Sequence, residues 1–294
     1  MEKPARTGQT PRMSNTTNTH QVTSTSAQTT LVLGATGKTG RRVVERLQAR
    51  SHRVRPASRS TSPAFDWHEP ATWDDAIRGT GAIYIAYHPD LAVPGATDHI
   101  EKLVERARAH GVARLVLLSG RGEEEAQRCE QIVLSSGIPS TVLRCAWFNQ
   151  NFSESFLRDM VVDGTIALPV DGVREPFVDA DDIADAAVAA LTEDGHAGQL
   201  YELTGPELLS FSDLASQLSA ATGRDIQFRQ ISHADFMAGL RAAGLPDGFT
   251  DLVGYLFTEV LDGRNESLAD GVQRALSRPP KPFSEFAAES LSLI

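Results

Sequence analysis

From Thr30 onward, short unbroken apolar runs alternate with stretches in which apolar residues return every three or four positions. The first kind predicts buried strands and the second amphipathic helices. Six runs fit the strand pattern: "TTLVLGA" (29–35), "HRVRPAS" (52–58), the short "PAFDW" (63–67), "GAIYIAY" (81–87), "ARLVLLS" (113–119) and "STVLRCA" (140–146). Between them, Arg41 to Arg50 places Val43, Val44 and Leu47 on one helical face. Thr97 to His110 does the same with Ile100, Leu103, Val104 and Ala107, and a further helix is expected over Glu123 to Ser135. Strands that are aliphatic on both faces suit a parallel sheet covered by helices above and below. The alternation therefore predicts an α/β fold with a doubly wound parallel sheet.

Beyond Asn151 the pattern loosens. Helices are expected over Phe152–Val162, Asp181–Leu191 and Ser210–Thr222, with strands at "TIALPV" (165–170), "QLYELTG" (199–205) and "DIQFRQI" (225–231). From His233 the chain reads as mostly helical and carries Phe236, Phe249, Tyr255 and Phe257. The expected organisation is a sheet domain over 30–204 and a small, mostly helical C-terminal substrate lobe over 205–294, with 152–172 contributing to the lobe. The first 29 residues differ in kind. "TNTHQVTSTSAQTT" has almost no large apolar side chains to offset its ordering entropy, so a disordered tail is expected, with Met13 as an alternative start.

Composition narrows the partners. A formal net charge of -10 over 294 residues repels phosphate backbones, and no dense basic patch compensates. No apolar run reaches the roughly 18 to 20 residues needed to span a bilayer. The expectation is a cytoplasmic monomer or homodimer acting on a small molecule, without nucleic-acid or membrane partners. Cys129 and Cys145 fit no metal-ligand spacing and are expected as core residues, and no metal is expected. "DADD" (Asp179 to Asp182) precedes a helix, where carboxylates cap N–H groups.

The turn after the first strand carries candidate chemistry. "GATGKTG" sets Gly34, Gly37 and Gly40 at three-residue intervals between the first strand and the first helix. Glycine there allows a tight turn, close approach of a pyrophosphate and tight helix packing, while the helix N-terminus directs free N–H groups at the phosphates. Gly34, Ala35, Thr36, Gly37, Lys38, Thr39 and Gly40 are the expected phosphate cradle of a Rossmann-type fold. A triphosphate-binding loop would need a glycine at position 32, which is Val32. Some 20 residues on, an NAD site would carry an acid for the ribose 2′-OH. The chain instead has Ser58, Arg59 and Ser60, which suit the 2′-phosphate of NADPH through charge-assisted hydrogen bonds. Lys38 is a second candidate for that phosphate, and Asp66 for the adenine amino group. Ligands in such sheets lie outside the carboxyl ends of the strands, which brings in Tyr87, His88, Ser119, Arg121, Trp147, Phe148 and Asn149. Ser119, Arg121 and His88 are the catalytic candidates; Trp147, Phe148 and Asn149 are expected in the substrate pocket.

These motifs, with "EQIVLSSGIPSTVLRCAWFNQNF" and "FVDADDIADAAVAAL", resemble the NmrA-like branch of the atypical short-chain dehydrogenases over roughly Thr30 to Ile231. "GKTG", "ASRS", "FDW" and "WFNQNF" are more narrowly similar to festuclavine dehydrogenase-like members. That resemblance implies a nicotinamide-dependent reductase acting on an iminium carbon, a quinone or an azo compound. It also leaves open a cofactor-binding regulator or redox sensor without turnover. Aligned on Glu130, Gly122 stands where a short-chain dehydrogenase has its proton-donating tyrosine, and Ala126 where it has its lysine. Neither can transfer a proton. A positioned general acid is worth roughly 10²- to 10⁴-fold in rate. Its absence favours electrophiles that arrive already activated: iminium ions, which need no proton at hydride transfer, quinones and conjugated carbonyls.

Overall fold

The computed structural model describes residues 1–2 and 29–290. The predicted disordered tail lies almost entirely outside the described residues. β1 (Thr29–Leu33), β2 (Val54–Ala57), β3 (Thr80–Ile85), β4 (Arg114–Gly120), β5 (Ser140–Cys145) and a later strand at Leu200–Leu203 form one sheet. Its order runs Val54–Ala57, Thr29–Leu33, Thr80–Ile85, Arg114–Gly120, Ser140–Cys145, Leu200–Leu203. Every pairing is parallel.

Period two sorts the strands' side chains into two layers. Leu31, Leu33, Ile83, Ile85, Leu115 and Leu117 face α2 (Trp73–Ile77), α3 (Ala96–Ala109) and α4 (Glu124–Leu134). The intervening Val32, Tyr84 and Val116, with Leu143, face α1 (Lys38–Ala49) and the alanine-rich helix Ala180–Thr192. Alanine lets that helix settle close on the sheet. Its N-terminus is capped by Asp179, whose carboxylate accepts from the Asp181 N–H at 2.7 Å.

The predicted third strand is not one. "PAFDW" carries no sheet pairing beyond a single bridge between Asp66 and Glu69. Its apolar residues pack sideways instead, Phe65 on Trp67 (4.9 Å between ring centroids) and on Trp73 (5.5 Å). The backbone groups that a sheet would use are taken locally. The Asp66 N–H donates to Thr72 Oγ1 at 3.0 Å, and its carbonyl accepts from Trp73 Nε1 at 2.6 Å. The sixth strand is Leu200–Leu203, from the predicted "QLYELTG" run, and β2 is an edge of the sheet.

The second region is built from α5 (Asn151–Glu154), α6 (Phe156–Val162), β6 (Thr165–Leu168), β7 (Arg174–Glu175), β9 (Leu209–Ser210), α8 (Phe211–Thr222) and β10 (Gln227–Gln230), while α7 (Ala180–Thr192, the helix above) and β8 (Leu200–Leu203), which the chain visits in between, belong to the sheet. The region continues through α9 (His233–Ala242), α10 (Asp247–Tyr255), a π-helical turn over Leu256–Val260, α11 (Gly271–Leu276) and α12 (Phe283–Ser290). β10 pairs in parallel with β6, and β7 antiparallel with β9. A separate core of Phe152, Ile166, Phe177, Phe211, Phe236, Phe257, Phe283 and Phe286 lies here. α11 leaves it: Val272 and Ala275 join the sheet's own core, so the chain returns to the sheet after building the lobe.

Candidate active site

The glycine loop closes tightly. Gly34 has a φ of +68°, which an L side chain rarely adopts, and the Gly37 N–H donates to the Gly34 carbonyl at 2.9 Å. A Cβ on Gly40 would lie 2.1 Å from the Gly34 carbonyl oxygen, so α1 can approach β1 only without one. No side chain caps the N-terminus of α1, and its first turn holds no acid. These free N–H groups and the positive end of the dipole suit an anionic ligand. Ala35 and Thr39 are almost fully buried, so neither offers an exposed side chain at this turn.

At the end of β2, Ser58 is partly exposed and Arg59 exposed, with no acidic neighbour in "ASRS". Among the described residues Arg59 has no ion-pair partner. His88 stands beside it: its pKa is lowered by partial burial, then by the Arg59 and His68 charges. Asp66 turns its carboxylate to the His68 N–H at 3.0 Å.

A cavity of about 320 Å³ opens at the carboxyl ends of β3, β4 and β5. Tyr87 and Asp90 come from beyond β3, Ser119 to Arg121 and Glu123 from the end of β4, and Cys145 to Phe148 from the end of β5. Lys38, Asn151, Ser155 and Phe156 form one wall, and Phe249, Leu252, Val253, Leu256 and Phe257 the other. The phosphate cradle, an exposed arginine and a mainly apolar cavity thus lie along one edge of the sheet.

Comparison with known proteins agrees with this geometry. A family pattern described as NAD(P)H-binding matches residues 34–194, and the NmrA-like family pattern matches 124–274. Festuclavine synthase I of Penicillium roqueforti is 31% identical over 283 residues, spanning 88% of this chain and 97% of that protein. The chain belongs to the NmrA-like family. It is an NAD(P)H-dependent reductase of the atypical short-chain type. Triphenylmethane reductase of Citrobacter sp., solved with NADP(H), shares its fold (TM-score 0.76, 22% identity, 90% of this chain and 100% of that one). So does the NADPH-dependent quinone oxidoreductase QOR2 of Escherichia coli, solved with NADPH (TM-score 0.75, 22% identity, 88% and 98%).

Within this NmrA-like site, several expected residues are placed differently. His88 is exposed and lies outside the cavity wall, although Tyr87 and Pro89 on either side of it both line the cavity. Arg121 reaches the wall, but its guanidinium is occupied. It donates to the Asn265 and Ser267 carbonyls (3.3 and 3.1 Å) and to Ser267 Oγ (3.0 Å), tying the C-terminal segment to β4. Asn149 is fully buried away from the cavity, bonded through its N–H to the Val178 carbonyl and through Nδ2 to Asp179. Lys38 lies in the cavity wall near Glu154, Arg41 and Arg42 rather than beside Arg59, and burial lowers its pKa.

Ser119 is in the wall, and its hydroxyl donates to Glu130 Oε1 at 2.6 Å. Glu130 is fully buried and accepts both Nε and Nη2 of Arg144, so the serine is held on a compensated carboxylate. Trp147 and Phe148 line the cavity as expected. Tyr87 does too, the one tyrosine among the described residues to do so. Its hydroxyl shares a 2.6 Å hydrogen bond with His99 Nδ1, and burial pushes its pKa up to about 12.

Around α4, Gly122 has a φ of +79°, and a Cβ there would lie 2.8 Å from Asn265 Nδ2 and 3.0 Å from Arg264 Cδ. Ala126 is fully buried in the sheet core. Sequence reasoning missed Asp90 and Glu123; of the aromatic residues it assigned to the C-terminal lobe, Phe249 and Phe257 line the cavity. Each acid stands two residues beyond one it singled out, Asp90 after His88 and Glu123 after Arg121, and only proximity in space links them.

Proposed function

We propose that this reductase uses NADPH to reduce a small, already activated electrophile (an iminium ion, a quinone or a conjugated carbonyl) without a Tyr–Lys acid pair. The observation that carries this reading is the boxed-in Gly122 beside an aromatic-walled cavity. A tyrosine at that position would collide with Asn265 and Arg264, and a lysine at 126 would point into the core. The bound cofactor supplies a hydride.

The chain's own residues do the rest. Gly34, Gly37 and Gly40 with the first N–H groups of α1 would hold the pyrophosphate, with Thr36 and Lys38 beside them, and Ser58 and Arg59 would hold the 2′-phosphate. Asp66 is the proposed adenine partner. Ser119, held by Glu130, would orient a polar group at the nicotinamide end. Trp147, Phe148, Phe156 and Phe257 present flat apolar surface, which suits a planar conjugated acceptor and excludes water from it. Exclusion of water strengthens every charge interaction in the cavity. The names of the relatives support the same class: a festuclavine synthase, a triphenylmethane reductase and a quinone oxidoreductase.

NADPH oxidation followed by fluorescence with a panel of quinones, cyclic iminium salts, azo dyes and simple ketones tests the proposal. Turnover with the first classes and not with ketones is expected. Fast reduction of simple ketones, with the others inert, would overturn it.

A further inference from the structure

Two acids in the cavity wall are unaccounted for by cofactor binding. Glu123 caps the entry to α4 in sequence but bonds none of its N–H groups. Its side chain folds back instead over Gly120, where a Cβ would lie 2.3 Å from Glu123 Oε1; the missing side chain makes the room. Glu123 is 6% exposed, and its Oε2 has no partner among the described residues unless a proton is added. Asp90 is beside it, within hydrogen-bond reach of the Glu123 carboxyl, and its Oδ1 already accepts the Ala92 N–H at 2.8 Å.

Two facing carboxylates in an apolar wall cannot both be ionised cheaply, and an unpaired buried carboxylate oxygen costs several kcal/mol. One proton between them resolves both problems. We propose that Asp90 and Glu123 form a proton-sharing pair, Glu123 donating to Asp90, and that Glu123 is the proton donor to the reduced acceptor. This rests on the reductase reading above.

Hydride addition to a quinone leaves a hydroquinone monoanion. The Glu123 O–H bond breaks, its electron pair stays on the carboxylate, and a new O–H bond forms on the product oxyanion. Water then returns a proton through Asp90, the more open member of the pair. An iminium acceptor ends as a neutral amine and draws no proton, so it bypasses the pair.

Burial, and then the Asp90 charge, pushes Glu123 up to about 9, and burial also raises Asp90. The other charged or titratable groups around the pair are Glu130 on α4, Arg121 at the end of β4, Lys38 and Tyr87 in the same cavity wall, and Tyr255 and Arg264 from the lobe. Arg264 donates to the Gly122 carbonyl at 3.2 Å.

The experiment compares wild type, Glu123→Gln and Asp90→Asn, as full chains, with a naphthoquinone and a cyclic iminium salt. The expected result is that Glu123→Gln lowers the quinone-to-iminium ratio of kcat about 100-fold, the size of a lost general acid. Asp90→Asn should move the alkaline fall of quinone reduction to lower pH, because the charge that raises Glu123 is gone. Infrared spectra of the cofactor-free protein at pH 7 should hold a protonated-carboxyl C=O band that Glu123→Gln removes. An unchanged ratio in a variant that still binds NADPH, an unmoved pH profile in Asp90→Asn, or no such band in wild type would each overturn the pair. Absence of turnover with both acceptors would overturn the reductase reading and the donor role with it, while the band would still report the shared proton.

Discussion

Trp147, just beyond β5, meets Phe257 of the π-helical turn edge to face, with ring centroids 5.0 Å apart and planes at 74°. The contact joins the sheet to the lobe and forms part of the cavity's ceiling. Aromatic pairs in this geometry contribute about 0.5–1.5 kcal/mol beyond the area they bury. Phe257→Ala should raise KM for an aromatic acceptor roughly tenfold, on the order of 1.4 kcal/mol. Because Phe257 is almost fully buried, the same change should destabilise the fold by about 3–5 kcal/mol. Steady-state kinetics and a denaturant melt read the two effects separately. A KM that does not move would show that acceptors do not reach the lobe.

Gly40→Ala should weaken NADPH and NADH alike. The new methyl would have to displace the Gly34 carbonyl, 2.1 Å away, and with it the cradle's closing turn. We expect a loss of at least about tenfold in affinity for both dinucleotides by calorimetry. Retained affinity in a folded variant would mean that phosphate binding does not depend on this close approach.

Arg59→Ala should discriminate between the dinucleotides. A hydrogen bond to a charged group is worth about 1.5–3 kcal/mol, so NADPH affinity should fall by about 10- to 100-fold while NADH affinity stays within about twofold. Equal losses for both would remove the 2′-phosphate role.

Glu175 gives a pH dependence with a defined sign. It is fully buried, both carboxylate oxygens lack partners among the described residues, and its pKa is pushed up to about 8. Burial is the main cause; the Arg121 charge opposes it, and Glu266 and Asp262 add to it. The folded pKa lies above the ordinary value of 4.5. Folding therefore takes up a proton, and this group's contribution to stability is full below about pH 4.5 and is lost as pH rises through about 8. Wild-type Tm should fall between pH 6 and pH 9 more steeply than that of Glu175→Gln. Parallel Tm curves for the two proteins would show that Glu175 is ionised in the fold without penalty.

Much of the frame was legible in one dimension. Aliphatic runs such as "AIYI" and "RLVLL" are buried on both faces, so their composition declares a covered parallel strand. The glycine spacing at 34, 37 and 40 is largely local: Gly34 takes a positive φ, and a Cβ on Gly37 or Gly40 would meet the Gly34 carbonyl, although one on Gly34 would also press on Ala86 just beyond β3. "PAFDW" misled for the opposite reason. Its alternation of apolar and polar residues is real, yet Phe65 and Trp67 bury against Trp73 rather than within a sheet, and no local signal distinguishes the two partners. The sheet's last strand, Leu200–Leu203, comes from more than 50 residues beyond β5, a pairing decided by tertiary competition for the open edge.

The candidate site divides along the same line. Sequence alone determined which residues stand at the strand ends and where the tight glycine turn before α1 falls, because those follow from strand periodicity and backbone sterics. It could not decide which way side chains turn once there. Arg121 turns to the 265–267 segment, Asn149 to Asp179, and His88 outward to solvent, each drawn by a partner remote in the chain or by the lack of one. Asp90 and Glu123 lie more than 30 residues apart, and only the folding of β3 beside β4 makes them neighbours. Their chemistry belongs to the tertiary structure, since the ionisation of a carboxyl depends on what surrounds it rather than on where it stands in the chain.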